Sequence, residues 1–174
     1  MTGYAAGMTS ISIDAAGPAD QDLLYRLLQL YYFEATRWSG EDLDTSGLYA
    51  CDPAGVGSYL VAECPDRAYL FRCDGRVCGF ALVEQIDMDG TTMRELADLF
   101  VLPKYRGRGV ADAAIRSIVL RSEGAWMIAT FKQDLDAQRY WASAFHRLPF
   151  ASLRRADDDA SFQIRIVNER SQPR

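Results

Sequence analysis

The stretch with most chemical content is Leu99-Phe100-Val101-Leu102-Pro103-Lys104-Tyr105-Arg106-Gly107-Arg108-Gly109-Val110-Ala111. An apolar run stops at a proline, a short Arg/Gly segment follows, and an alanine-rich run begins. Glycines there let successive backbone N–H groups converge, and a helix starting at Gly109 adds roughly half a positive charge at its N-terminus. Arg106 and Arg108 can add forked, charge-assisted hydrogen bonds to phosphate oxygens. The chemistry of such a loop is pyrophosphate binding, although a tight turn with solvated arginines would use the same residues. Two rival phosphate motifs are excluded. The chain has no Gly-Lys pair for a P-loop, and a dinucleotide fingerprint needs a small residue where Asp112 stands.

Just upstream stand the carboxylates Glu95 and Asp98, and Asp98 interrupts an apolar run from Leu96 to Leu102, where burial demands a specific partner. Strand alternation sets Asp98 on a face with Leu96 and Phe100, and Glu95 on the other with Ala97, Leu99 and Val101. A single histidine, His146, excludes sites that need two, and no metal site is expected. Cys51, Cys64, Cys73 and Cys78 form no C-x-x-C pair and read as reduced, structural thiols.

These groups need elements to hold them. A strand is expected at Ser10–Ile13, then a helix opened by Gly17-Pro18. In that helix Leu24, Leu27, Leu28 and Tyr31 recur at i, i+3, i+4 and i+7, one buried stripe. Residues 38–57 read as a long connection, with a helical turn near Val56–Ala62. Strands Ala68–Cys73 and Arg76–Gln85 flank Asp74-Gly75, a two-residue hairpin signal. Arg94–Leu102 is a third strand, set off from the second by Asp87–Thr92. A helix over Gly109–Arg121 ends at Gly124 as its cap. Strand Trp126–Phe131, helix Ala137–Phe145 and strands Leu148–Arg155 and Phe162–Val167 follow, the last two flanking the acidic turn at 157–159. The order describes a mixed α/β structure: a mostly antiparallel central sheet, flanking helices and one βαβ crossover.

Arg106-Gly107-Arg108-Gly109-Val110-Ala111, after a strand ending Phe-Val-Leu-Pro and before a helix, resembles the R/Q-x-x-G-x-G/A motif of the GNAT superfamily of N-acetyltransferases. The element order is similar to that family over residues 9–167, as a single domain; residues 1–8 and 168–174 read as flexible termini. The resemblance implies acetyl-CoA as co-substrate, lying in a splay between the fourth and fifth strands. Phe100 and Val101 would bond the pantetheine arm, and the amides of Arg106 to Ala111 the pyrophosphate. A second family motif, N-x-x-A-x-x-F/L-Y/W, is matched from Asp134 to Trp141, with Asp134 in place of the leading asparagine. Trp141 stands where the family often has a tyrosine that protonates the leaving thiolate; Tyr140 is one step earlier, about 100° around the helix.

For a base that takes the acceptor amine's proton, the candidates are Asp98 and Glu95, beside the alternative that Asp98 caps or pairs with an arginine. The resemblance puts the acceptor site around the first helix and its loop. Tyr32, Glu34 and Trp38 are the candidates there, suited to a cationic small-molecule or peptide amine. Tyr31 and the loop acids are equally readable as core and solvated surface. No residue stands out as a covalent nucleophile, so direct transfer fits. A non-catalytic acyl-CoA-binding module is the alternative, and homodimers are common in the family.

Composition narrows the partners. Among 174 residues, nineteen basic against twenty-four acidic side chains give a net charge of −5, which disfavours nucleic acid. No apolar stretch approaches the ~20 residues of a membrane span. The opening residues lack the basic and apolar pattern of a signal peptide, so a cytoplasmic location is expected.

Overall fold

The computed structural model describes residues 10–88, 90–156 and 159–169. Residues 1–8, most of the acidic turn at 157–159 and the last five residues of the tail lie outside them. In chain order the elements are β1 (Ile11–Ala15), α1 (Gln21–Ser39), α2 (Pro53–Ser58), β2 (Arg67–Cys73), β3 (Arg76–Met88) and β4 (Thr91–Val101). They continue with α3 (Val110–Ile118), β5 (Trp126–Phe131), α4 (Leu135–Arg147), β6 (Leu153–Arg155) and β7 (Phe162–Val167).

The strands form one seven-stranded sheet in the order β1-β2-β3-β4-β5-β7-β6. Every pairing is antiparallel except β4 with β5, which α3 joins as a crossover. Both faces are covered. Leu24, Leu27 and Leu28 of α1 pack on Leu70, Phe80 and Phe100 on one side. On the other, Ile115 of α3 and Trp141 of α4 pack on Phe71, Trp126 and Ile128. Strand β3 lies between these layers and is buried without a break from Cys78 to Val83, as a doubly covered strand must be. Cys73 and Cys78 sit in this core as free thiols, acting as small hydrophobes.

Local chemistry explains most element ends. Asp74 and Gly75 both take positive φ, 50° and 76°, the left-handed pair of a tight hairpin. Asp52 caps α2 by accepting from the N–H groups of Ala54 and Gly55, so this helix starts and stops earlier than the expected turn at 56–62. Strands β3 and β4 continue to Met88 and from Thr91, shortening the expected connection 87–92 to its tip. Gly124 is not the cap of α3: the helix ends at Ile118, and Gly124, at φ 92°, turns the chain into β5. In the tail, the Glu169 carboxylate takes two hydrogen bonds from Arg154, at 2.9 and 3.0 Å. Among the described residues no helix is long and apolar enough to cross a membrane.

Candidate functional site

Strands β4 and β5 pair only at Arg94–Trp126 and Glu95–Met127. Beyond these, β4 stays with β3 as far as Val101 opposite Gly79, and β5 stays with β7 as far as Phe131 opposite Phe162. The sheet therefore opens like a V, leaving backbone groups of each inner edge without a strand partner. Such an edge is ready to bond the amides of an extended ligand.

Two clefts meet at this opening. The larger, about 530 Å³, runs from Phe100 and Val101 along the Arg106–Ala111 loop to Asp134, Tyr140 and Trp141. After a short 3-10 turn at Pro103–Tyr105, Gly107 and Gly109 take φ of 72° and 80°, and α3 starts without a side-chain cap. The first N–H groups of a helix have no intrahelical partner, so those of α3 face a cleft able to receive an anion. Asp134 keeps the capping role that an asparagine would have, accepting from the Ala137 N–H at 3.0 Å. Trp38 also lines this cleft, and its indole Nε1 is buried without a hydrogen-bond partner among the described residues. An unmet buried donor costs about 1–3 kcal/mol, so it favours a bound acceptor.

Arg106 does not point freely outward. Its guanidinium holds both oxygens of Glu34, at 2.8 and 2.6 Å, while its Nε donates to the Val101 carbonyl at 2.9 Å. Glu34, expected at the acceptor, is thus a strut between α1 and the loop, and Arg37 of the next helical turn also donates to it. Arg108 lies over the Tyr105 ring, its Cζ 5.6 Å from the centroid. Tyr140 lines the larger cleft, yet its hydroxyl donates to Asp112 at 3.0 Å, and Arg147 grips the same carboxylate through two bonds. Trp141 is buried edge-on to Tyr140 and stacked on Phe145. Tyr32 is half-buried and lines neither cleft, its hydroxyl facing Cys51.

The smaller cleft, about 370 Å³, lies within the V and is lined by Glu95, Asp98, Asp159, Tyr31, Phe131 and Phe162, among others. Here the expected separation of Glu95 from Asp98 is overturned. The β3–β4 register shifts, with Leu82 opposite Asp98 but Val83 opposite Leu96, so Ala97 is an extra residue. A bulge of this kind breaks the two-residue alternation. Leu96, Leu99 and Val101 pack on the α3/α4 side, while Ala97 and Phe100 pack on the α1 side. Glu95, Ala97 and Asp98 consequently open to one cleft.

That cleft is acidic. Burial, chiefly, raises Asp98 to about 6; a hydrogen bond from the Tyr31 hydroxyl opposes the rise, and Glu84 adds to it. Burial likewise raises Glu95 to about 7, helped by the like charges of Glu84, its cross-strand neighbour, and Asp98. Both carboxyls can therefore exchange protons near neutral pH. Phe131 and Phe162 form an aromatic wall with centroids 4.2 Å apart.

Sequence reasoning left Tyr31 open between acceptor site and core, and it missed Phe131, Phe162 and the Asp112–Arg147 pair. An apolar strand residue that turns out to wall a cleft leaves no local signal. The acidic interruption of β4 was the one sign of the cleft.

The description of the family model that matches residues 22–146 is acetyltransferase (GNAT) family. No curated protein shows significant similarity to the sequence. Among solved structures, an acetyltransferase from Thermus thermophilus superposes with a TM-score of 0.64 at 15% identity, covering 91% of this chain and 97% of that one. A structure described as histone acetyltransferase HPA2 and related acetyltransferase, from Corynebacterium glutamicum, gives 0.63 at 18% identity, over 94% and 98%. An aminoglycoside acetyltransferase from an uncultured soil metagenomic sample, in complex with sisomicin, gives 0.57 at 13% identity, over 76% and 86%. At such identities the likeness is one of fold.

Proposed function

The chain belongs to the acetyltransferase (GNAT) family, and from that premise we propose that it moves an acetyl group from acetyl-CoA to a primary amine by direct transfer. The observation that carries this reading is the V between β4 and β5, with an anion-receiving loop along one side and two proton-exchanging carboxylates inside it. The residues suit the co-substrate. The free N–H groups at the start of α3 suit the pyrophosphate, the open edge at Phe100 and Val101 suits the pantetheine amides, and the unpaired Trp38 N–H offers one more donor. Acetyl-CoA, when bound, supplies the acyl group as an activated thioester.

Asp98 is the preferred base, with Glu95 beside it. Each is held in the low-dielectric V where a carboxylate retains enough basicity to accept a proton from an ammonium group. The acceptor is a cationic amine, small or peptide-borne. Carboxylates Glu95, Asp98 and Asp159 attract its charge, and the Phe131–Phe162 wall adds cation–π contact. Glu34 and Trp38 then serve the co-substrate side rather than the acceptor, and Tyr32 supports α1. We place the reaction in the cytoplasm, a reducing compartment that suits four free thiols.

Calorimetric titration with acetyl-CoA tests the loop. Wild type is expected to bind in the micromolar range and Gly109→Asp at least about 30-fold more weakly, because a carboxylate then stands among the amides. A Cβ at Gly109 meets nothing within 4 Å, so the variant keeps its fold at the cost of a strained φ. Equal affinities would remove the loop from binding, and no binding of acetyl-CoA or longer acyl-CoAs by wild type would overturn the reading. Binding without product across a broad amine panel would favour a non-catalytic module, the reading to which the committed Tyr140 hydroxyl is best suited.

A further inference from the structure

Tyr31 is the side chain common to both clefts. Its ring is set edge-on to Phe80, centroids 6.0 Å apart, and lies 5.7 Å from Phe100, the β4 residue at the mouth of the larger cleft. Its hydroxyl faces the Asp98 carboxylate, and both side chains line the smaller cleft. By contrast, the tyrosine that the α4 motif offers donates its proton to Asp112, in the first turn of α3, and neither residue lines the smaller cleft. Trp141 beside it has only a weakly acidic N–H.

We propose that Tyr31 is the general acid of the transfer and that, with Asp98, it forms a closed relay returning the acceptor's proton to the leaving sulfur. The inference rests on the transferase reading above. As the amine nitrogen bonds to the acyl carbon and the C–S bond breaks, its electron pair leaves on sulfur. The acceptor ammonium first gives up one proton to solvent, which frees the lone pair, and Asp98 then takes the second proton from the attacking nitrogen. Tyr31 gives its phenolic proton to sulfur, and the proton held by Asp98 refills the phenol. The products are the amide and the thiol, with Asp98 again a carboxylate and Tyr31 again a phenol. The one proton released to solvent is the ammonium's, lost before attack.

The refilling step makes the relay workable. Burial and the neighbouring Asp98 hold the Tyr31 phenol well above its ordinary value, so a bare phenolate would be unfavourable. When the carboxylic acid replaces the proton as it leaves, the net donor is Asp98 at about 6, more acidic than an ordinary thiol at roughly 8.5. The groups facing Asp98 are Tyr31 and Tyr32 from α1, Tyr59 after α2, Glu84 of β3 and Glu95 of its own strand. Of these, Tyr31 also reaches the co-substrate cleft.

Tyr31→Phe keeps the buried ring and removes the proton. Its kcat is expected to fall about 100-fold, the usual worth of a positioned acid, with KM for acetyl-CoA changed less than about threefold. A second measurement does not depend on turnover. With carboxyl carbons labelled, the NMR titration midpoint of Asp98 should move upward in Tyr31→Phe, because the hydrogen bond that favours the ionised form is gone. A kcat within threefold of wild type, an unmoved Asp98 midpoint, or a larger kcat loss in Tyr140→Phe than in Tyr31→Phe would each overturn the relay. Wild type that turns over no amine would instead overturn the transferase reading, a result separable from the other three.

Discussion

Asp98→Asn is expected to lower kcat/KM by at least about 100-fold while making the protein more stable at neutral pH. The loss follows from removing the preferred base inside the V, and wild-type kcat/KM should correspondingly rise with pH through the range of about 6 to 7 in which Asp98 and Glu95 ionise. The gain in stability follows from linkage. Asp98 is raised in the folded protein from 3.8 to about 6, so between those values the native chain holds a proton that the unfolded chain has released. Stability from this group is complete below about pH 4 and is lost as pH rises through 6, at a cost near pH 7 of order 3 kcal/mol. Asparagine carries no charge to desolvate, and its amide oxygen can still accept from Tyr31. Calorimetry should show the variant melting higher by roughly 5 °C or more at pH 7.5 and level with wild type at pH 4. A variant that melts lower at both pH values would mean that the Asp98 charge is a structural partner, the alternative raised by its place in an apolar run.

The largest expected loss of stability lies at a residue without a side chain. A Cβ built on Gly79 falls 2.2 Å from the Phe100 carbonyl oxygen, 2.9 Å from the fully buried Phe71 ring and 3.1 Å from the Val101 Cα. Two of the three obstacles are backbone atoms of β4, so the clash cannot be relieved by turning a side chain. Gly79→Ala must push β3 and β4 apart in the doubly covered middle of the sheet. A loss of about 3 kcal/mol or more is expected, at the upper end for overpacking, and urea denaturation measures it. Because the displaced edge is Phe100–Val101, acetyl-CoA affinity should fall with it. An unchanged unfolding midpoint would show that the strands are free to separate there, against the tight register of the pair.

Much of this protein was legible in its residues because much of it is decided over short distances. The Asp74-Gly75 turn, the strand Trp126–Phe131, the leucine stripe of α1 and the Arg106–Ala111 loop each follow from backbone preferences within a few positions. Asp134 caps α4 as an asparagine would, because a cap needs only an oxygen at the right place. Element ends were less legible. Strands β3 and β4 extend each other by pairing, and α3 stops six residues before the glycine that looked like its cap.

The fold class, the crossover and the Arg/Gly loop that leads into α3 were determined by sequence alone, since hydrophobic period, turn chemistry and glycine placement act locally. The tertiary structure alone decided which charged and hydroxyl groups meet. One extra residue at Ala97 turned Asp98 onto the face of Glu95, because alternation projects a side chain correctly only while the register is unbroken. The partners of Arg106 and Tyr140 lie 72 and 28 residues away, and Tyr31 reaches Asp98 from another element. Those meetings depend on how α1, α3 and α4 pack on the sheet, a property of the whole core that no window of residues contains.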